Sequence, residues 1–190
     1  MNNSEIEIIR YVTGYADRAH GNQMRKYTND RYIVHPVRVM EMVREYDRAL
    51  PVLCAALLHD VLEDTPVTAD EILLELTKVM DANDAEKTVE LVIELTDVFV
   101  KSNYPRLNRR TRKEKEALRL SAVSAQAQTI KYADIIDNVN DHLTQDADFA
   151  RVYLQEAKKM LHRMRDGNPV LLERAVHLVD ECLHRLKPAA

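Results

Sequence analysis

Glycine is scarce in this chain, at 3 of 190 residues, and proline is little commoner, at 6. With so few turn formers beside plentiful Leu, Ala, Glu, Arg, Lys and Met, the composition disfavours strand-and-turn architectures and favours long helices. The predicted fold class is all-α. The two cysteines, Cys54 and Cys182, form no CxxC pair and no zinc-ribbon spacing, so both read as core or near-core thiols. The formal charge of −4 lacks the positive excess that would draw nucleic acid or an anionic membrane, and any polyanion site must be local. No long apolar run exists either. The longest unbroken one, Val52 to Leu58, is far too short to span a bilayer, and the acidic, mixed start "MNNSEIEIIRYV" does not read as a signal peptide. These absences predict a cytoplasmic protein with neither a nucleic-acid nor a membrane partner. No internal repeat, low-complexity tract or linker divides the sequence, so residues 1–190 are expected to form a single domain.

What is present is a succession of helical patterns. Ser4 with Glu7 has the form of a capping box, and Ile6, Ile9, Val12 and Ala16 then recur at helical spacing towards His20. "GNQMRKYTNDRYIVHP" has no sustained period and reads as a structured loop, with His35 biased towards an extended backbone by Pro36. Helical patterns resume at "VRVMEMVREY" and "LPVLCAALLHDVLED", with Asp47 a cap for the second of these. Thr68 with Glu71 caps "ILLELTKVM", and the next helix carries Val89, Val92, Ile93 and Leu95 at apolar positions. Further helices are expected from Arg109 to Leu120 or Val123, from Ala125 to His142, from Asp148 to Arg165 and from Pro169 to Leu186, the last two separated by "DGN".

Two helical segments carry charge where a core is expected. In "AALLHDVLEDTP" an apolar run ends in His59, Asp60, Glu63 and Asp64, which on one helix fall at roughly 0°, 100°, 40° and 140° and so share an arc. Alone, a His-Asp pair also fits a solvated helix end. Charges directly after a buried segment, however, call for a partner or a metal. In "QTIKYADIIDNVNDH", Lys131, Asp134 and Asn138 lie within about 60° of one another, while Ile130, Ala133 and Val139 are free to pack elsewhere. By itself this stripe also fits an exposed polar face. His35, before Pro36, is a third candidate. Met40, Met42, Leu53 and Leu57 read as packing.

Taken together, "AHGNQMRKYTNDRYIVHPVRV", "CAALLHDVLEDTPVTADEI", "VIELTD" and "IKYADIIDN" occur in the order and approximate spacing seen in hydrolases of the RelA/SpoT-homologue group. The sequence resembles a stand-alone small alarmone hydrolase of the HD-domain metal-dependent phosphohydrolase superfamily, and the motif-bearing part runs from about residue 5 to 142. The resemblance implies a compact multi-helix HD-domain fold. It implies His35, His59, Asp60 and Asp134 as ligands of a divalent metal, with Mn²⁺ as the family precedent, and Glu63 and Asp64 as the acidic pair that orients or deprotonates water. Arg25 and Lys26 then become contacts for the nucleotide or its phosphates, and Asn138 a site-lining amide. Lys131 is the lysine of the family's "KxAD" motif, or else pairs with a carboxylate. The reaction implied is removal of the 3′-pyrophosphate of guanosine tetra- or pentaphosphate, leaving GDP or GTP.

The basic cluster "RLNRRTRKEK" holds six basic residues from Arg106 to Lys115, and Arg109, Arg112 and Lys113 are weaker candidates for phosphate contacts. A solvated helix fits it equally. Against the family pattern, Ile135 stands where Arg or Lys commonly follows the motif's Asp, Asp137 stands where His or Tyr often precedes the Asn, and "YTNDRYI" lacks the usual Gly-x-Pro. These departures bear on the nucleotide-binding loop and on base specificity, and two other readings stand beside the leading one. One is an HD phosphohydrolase acting on a nucleoside monophosphate, NADPH or an adenine alarmone; the other is a non-catalytic helical binding protein. Homo-oligomer formation and the role of the helices after residue 148 stay open as well.

Overall fold

The computed structural model describes residues 2–26, 28–142 and 147–186, with backbone alone at 142, 147 and 148. Tyr27, in the loop expected from "GNQMRKYTNDRYIVHP", lies outside the described residues. The expected all-α class is what forms: ten helical segments are described, one a single turn, and the β pairing among the described residues is an isolated bridge between Met24 and Arg31. No described helix is long and apolar enough to cross a membrane. The chain divides into two compact units, residues 1–96 and 97–190.

In the first unit, α1 (Asn3–His20) starts one turn fragment earlier than expected. Its cap is Asn2, whose Oδ1 accepts from the Glu5 N–H while Glu5 Oε2 accepts from the Asn2 N–H, so the capping box is Asn2–Glu5 rather than Ser4–Glu7. Val12 and Ala16 face the core, and Gly21, at φ 57, ends the helix in a conformation that side chains with a Cβ resist. α2 (Val34–Arg44) begins before the expected segment and takes His35 and Pro36 into its first turn. The extended backbone expected at His35 is thereby corrected. N–H groups in a first turn have no helical partner, so Pro36 costs no bond there.

α3 (Leu50–Leu58) is the centre of the unit, with every residue from Val52 to Leu58 fully buried and α1, α2 and α6 packed around it. Each of its four fully buried leucines and valines, Val52, Leu53, Leu57 and Leu58, is worth roughly 1.5–3 kcal/mol of burial. The cap is Ala49; Asp47 instead accepts from the Ala49 N–H in a local turn. Burial pushes the Cys54 thiol up to about 12, in keeping with a packing role. α4 (Val61–Asp64) is a single turn, α5 (Ala69–Leu76) carries the expected Thr68–Glu71 capping box, and α6 (Ala82–Leu95) buries Val89, Val92 and Leu95. Ile93 is 51% exposed, a correction to the expected apolar face.

The second unit contains α7 (Arg109–Leu120), α8 (Ala125–His142), α9 (Ala147–Arg163) and α10 (Pro169–Arg185), with α8 packed on α9 and α10 and α7 on α9. Glu116 is not one of the solvated glutamates expected of a surface helix. It is buried on α7, accepts from the Val98 and Phe99 N–H groups at 3.0 and 2.9 Å, and is matched by Arg119. The "DGN" stop lies against α8: the Asp166 N–H donates to Gln128 Oε1 and the Asn168 N–H to Thr129 Oγ1, both at 2.9 Å. A Cβ on Gly167 would come within 2.5 Å of Tyr132 Cε2 and 2.9 Å of the Thr129 nitrogen. Gly167→Ala is therefore expected to destabilise the chain by about 1–3 kcal/mol, since backbone must yield. A lowered urea midpoint in equilibrium unfolding checks this, and an unchanged midpoint would count against the close approach.

Candidate metal centre and acidic pair

The helix that approaches the site does not continue through it. His59 Nδ1 donates to the Ala56 carbonyl at 2.9 Å, the carbonyl that an unbroken α-helix would offer to the Asp60 N–H. α3 stops at Leu58, and the chain resumes as α4, held by Glu63 and Asp64 N–H groups donating to the Asp60 carbonyl at 3.1 and 2.9 Å. The single helix expected over "LPVLCAALLHDVLED" is thus two helices with a turn at His59–Asp60. That turn aims the His59 and Asp60 side chains at each other.

Three groups of the first unit converge there. His59 Nε2 lies 3.0 Å and His35 Nε2 3.5 Å from the same oxygen, Asp60 Oδ2, and Tyr32 donates its hydroxyl to that oxygen at 2.6 Å. Both imidazoles are buried, at 0% for His35 and 2% for His59, with ring centroids 5.1 Å apart and edge to face. Each offers a ligand atom within 4.8 Å of the other's. Burial raises the Asp60 carboxyl, but the neighbouring His59 and His35 imidazoles outweigh it and hold the group well below the usual carboxylate range.

The donor set tests whether a metal fits. With the His59 Nδ1 proton committed to a backbone carbonyl, Nε2 is the ring atom turned to the carboxylate. It lies 3.0 Å from Asp60 Oδ2, and in place of the shared proton that holds the Asp60 carboxyl low, a metal ion can take the Nε2 lone pair and the carboxylate oxygen together. Two imidazole nitrogens and a carboxylate suit a divalent ion in a mixed N/O site, and a second ring nitrogen fixed by a backbone carbonyl is the usual way such ligands are oriented. The residues therefore fit a divalent metal.

Glu63 and Asp64 stand one turn beyond, both exposed on α4. Asp64 Oδ2 accepts from Gln23 Nε2 at 3.0 Å. Gln23 belongs to the loop that carries Arg25 and Lys26, closed by Tyr32 N–H to Gln23 carbonyl and Arg25 N–H to Asp30 carbonyl bonds of 3.0 and 2.9 Å. The Arg25 guanidinium lies over the Tyr32 ring, 5.5 Å from its centroid, and Lys26 is exposed. Tyr32, Gln23 and His20 were not singled out by the sequence, although "AHGNQ" and "RYIVHP" contain them.

In the second unit, Lys131, Asp134 and Asn138 share a stripe of α8. Lys131 Nζ is 2.8 Å from Asp134 Oδ2, and Asn138 Nδ2 donates to Asp134 Oδ1 at 2.6 Å. Asp134 is buried at 4% exposure, so the stripe is not a solvated face. Ile135 and Asp137, the two departures from the family pattern, are also buried. Arg109 holds Glu156 with two hydrogen bonds, Lys113 pairs with Asp97 at 2.9 Å, and Arg112 donates to the Leu107 carbonyl. Arg109 and Lys113 line a cavity of about 820 Å³ along α7 and α9, and the basic stretch is largely tied down by these bonds.

Comparison with known proteins bears on both units. The HD-domain family profile matches residues 32–139. Over 146 residues the chain is 30% identical to the probable guanosine-3′,5′-bis(diphosphate) 3′-pyrophosphohydrolase of Mycoplasma genitalium, covering 72% of this chain and 19% of that one. It is 33% identical over 137 residues to the guanosine-3′,5′-bis(diphosphate) 3′-pyrophosphohydrolase of Aquifex aeolicus, covering 70% and 17%. The chain thus spans less than a fifth of the length of these curated relatives. A solved structure of a metazoan ortholog of SpoT, reported to hydrolyse ppGpp and to act in starvation responses, is similar over 97% of this chain and 96% of its own, with a TM-score of 0.71 and 27% identity. HD domains depend on divalent metals, and the matched stretch contains His35, His59, Asp60, Glu63, Asp64 and Asp134. On the extent of that match, the chain belongs to the HD-domain family.

Proposed function

We propose that this chain is a metal-dependent hydrolase that removes the 3′-pyrophosphate of guanosine tetra- or pentaphosphate, giving GDP or GTP and pyrophosphate. The observation that carries the reading is the meeting of His35 Nε2, His59 Nε2 and the Tyr32 hydroxyl on one oxygen of Asp60, with an acidic pair one turn later. The activities named for the relatives support the choice of substrate.

In this reading residues 1–190 form a single HD-type hydrolase domain. His35, His59, Asp60 and Asp134 would hold the ion; their mixed imidazole–carboxylate set suits a divalent metal, and Mn²⁺ is proposed on the precedent of the hydrolases that the sequence resembles. A bound divalent ion supplies Lewis-acid polarisation of the phosphoryl group and acidifies water. Glu63 and Asp64 orient the attacking water and take its proton as its oxygen bonds to phosphorus. The bond from phosphorus to the 3′ oxygen breaks, and that oxygen takes up the proton that the acidic pair drew from the water. Lys131 balances the Asp134 carboxylate, Asn138 fixes its other oxygen, and Arg25 and Lys26 meet the nucleotide's phosphates. The reading carries with it a cytoplasmic location and a small nucleotide as substrate, both as proposals.

A substrate panel with Mn²⁺ tests the reading. Pyrophosphate release from guanosine tetraphosphate supports it. Orthophosphate released from a mononucleotide, with guanosine tetraphosphate untouched, points to an HD phosphohydrolase of another specificity, for which buried Ile135 and Asp137 would be the first residues to vary.

A further inference from the structure

His20, the last residue of α1, is buried at 7% exposure and has no part in the ligand set or the acidic pair. Its Nδ1 lies 2.9 Å from Gln23 Oε1, and Gln23 Nε2 lies 3.0 Å from Asp64 Oδ2. Chemistry assigns the direction of both bonds. An ionised carboxylate only accepts, so the amide turns its NH₂ to Asp64; its carbonyl then faces His20, and His20 Nδ1 must carry a proton. His20 Nε2 is buried with no hydrogen-bond partner, a place that tolerates an unbonded lone pair far better than an unsatisfied N–H. Both ends of the bond pattern therefore put the proton on Nδ1.

The surroundings hold this arrangement in place. Gly21 turns the chain at φ 57, the Gln23 N–H donates to the His20 carbonyl at 3.0 Å, and the Gln23 carbonyl accepts from the Tyr32 N–H at 3.0 Å. The His20 ring packs on the Tyr32 ring with centroids 4.4 Å apart, and Tyr32 in turn donates to Asp60 Oδ2. One buried ring thus braces both a metal-ligand carboxylate and a member of the acidic pair.

We propose that Gln23, its amide locked in one orientation by His20, is a positioning residue that holds Asp64 by Oδ2 and leaves Oδ1 to accept from the attacking water. This rests on the hydrolase reading above, and it gives Asp64 the anchored place in the pair.

The test is steady-state hydrolysis of guanosine tetraphosphate by the full chain with Mn²⁺. Gln23→Leu is expected to lower kcat roughly 10- to 100-fold while KM and bound metal change less than about twofold, the signature of misplacing a reacting group. Gln23→Met, unbranched and nearly isosteric, gives the same result if the leucine variant misfolds. His20→Phe keeps a ring on Tyr32 but removes the Nδ1 donor and should lower kcat; His20→Asn, whose amide can stand in for Nδ1–H, should recover part of it. The ¹⁵N shifts of the His20 ring in the unmodified chain, read near neutral pH, are expected to place the proton on Nδ1. Unchanged kcat in both Gln23 variants, or a proton on Nε2 alone, overturns the proposal. A parent chain inactive on guanosine tetraphosphate before any substitution overturns the hydrolase reading instead, so the two failures are told apart.

Discussion

His59→Ala is expected to leave a folded chain that has lost its metal and its hydrolytic activity. Its Nε2 is the nitrogen nearest the Asp60 oxygen, and its Nδ1 bond to Ala56 fixes where that nitrogen points. Losing only an outer partner of a metal ligand commonly costs about 10- to 100-fold in affinity, so loss of the ligand itself should exceed roughly 100-fold. The fold should survive, because the core of the first unit is the run Val52 to Leu58, which packs whether or not an imidazole follows it. Metal content after gel filtration, beside a circular dichroism spectrum, separates the two effects. A variant with unchanged helicity and full metal would remove His59 from the ligand set.

The second large effect is expected at Asp64→Asn. Asparagine is close to isosteric and its carbonyl can still accept from Gln23 Nε2, so the anchor seen at 3.0 Å is retained and only the basicity is lost. Removing a general base typically costs about 10²- to 10⁴-fold in rate. The drop should appear in kcat, with metal content unchanged, since Asp64 lies one turn beyond the ligand turn and makes no bond to His35, His59 or Asp60 side chains among the described residues. A fall of less than about tenfold would assign the proton to another group. His59→Ala and Asp64→Asn thus differ in metal content while sharing a loss of rate, and that contrast distinguishes holding the ion from handling the water.

Much of this arrangement is legible in the sequence because it depends on local chemistry. Thr68 with Glu71 marks a helix start that the backbone adopts, and "DGN" marks a stop where α9 gives way to α10. The His59–Asp60 pair after a wholly apolar run, and Asp134 flanked by Lys131 and Asn138, could be singled out by residue type and spacing alone. Other features turn on competition that spacing does not reveal. "NNSEIE" contains two overlapping cap patterns, and the register taken is the one that starts at Asn2. Pro36 argues locally for an extended His35, yet a helix's first turn has no N–H to lose there, so α2 starts at Val34. The break after Leu58 arises because the His59 side chain takes a carbonyl that the helix would have used.

Tertiary approach hides the rest. Tyr32 and Asp60 are 28 residues apart, and Gln23 and Asp64 are 41 apart, so no local pattern pairs them. Glu116 sits in a basic, outwardly solvated-looking segment, and only the folding back of Val98 and Phe99 makes it a buried acceptor. In each case the residue type offered a donor or acceptor, while the loop that brought its partner was set by packing elsewhere.

The most direct test of the proposed chemistry is ³¹P NMR of guanosine tetraphosphate incubated with the chain and Mn²⁺ in ¹⁸O-labelled water. The expected products are GDP and pyrophosphate, with one ¹⁸O in the pyrophosphate and none in GDP, because water attacks phosphorus and the 3′ oxygen leaves unlabelled; chelation should stop the reaction. Label in GDP, orthophosphate as the released anion, or turnover that persists after the metal is removed would contradict it.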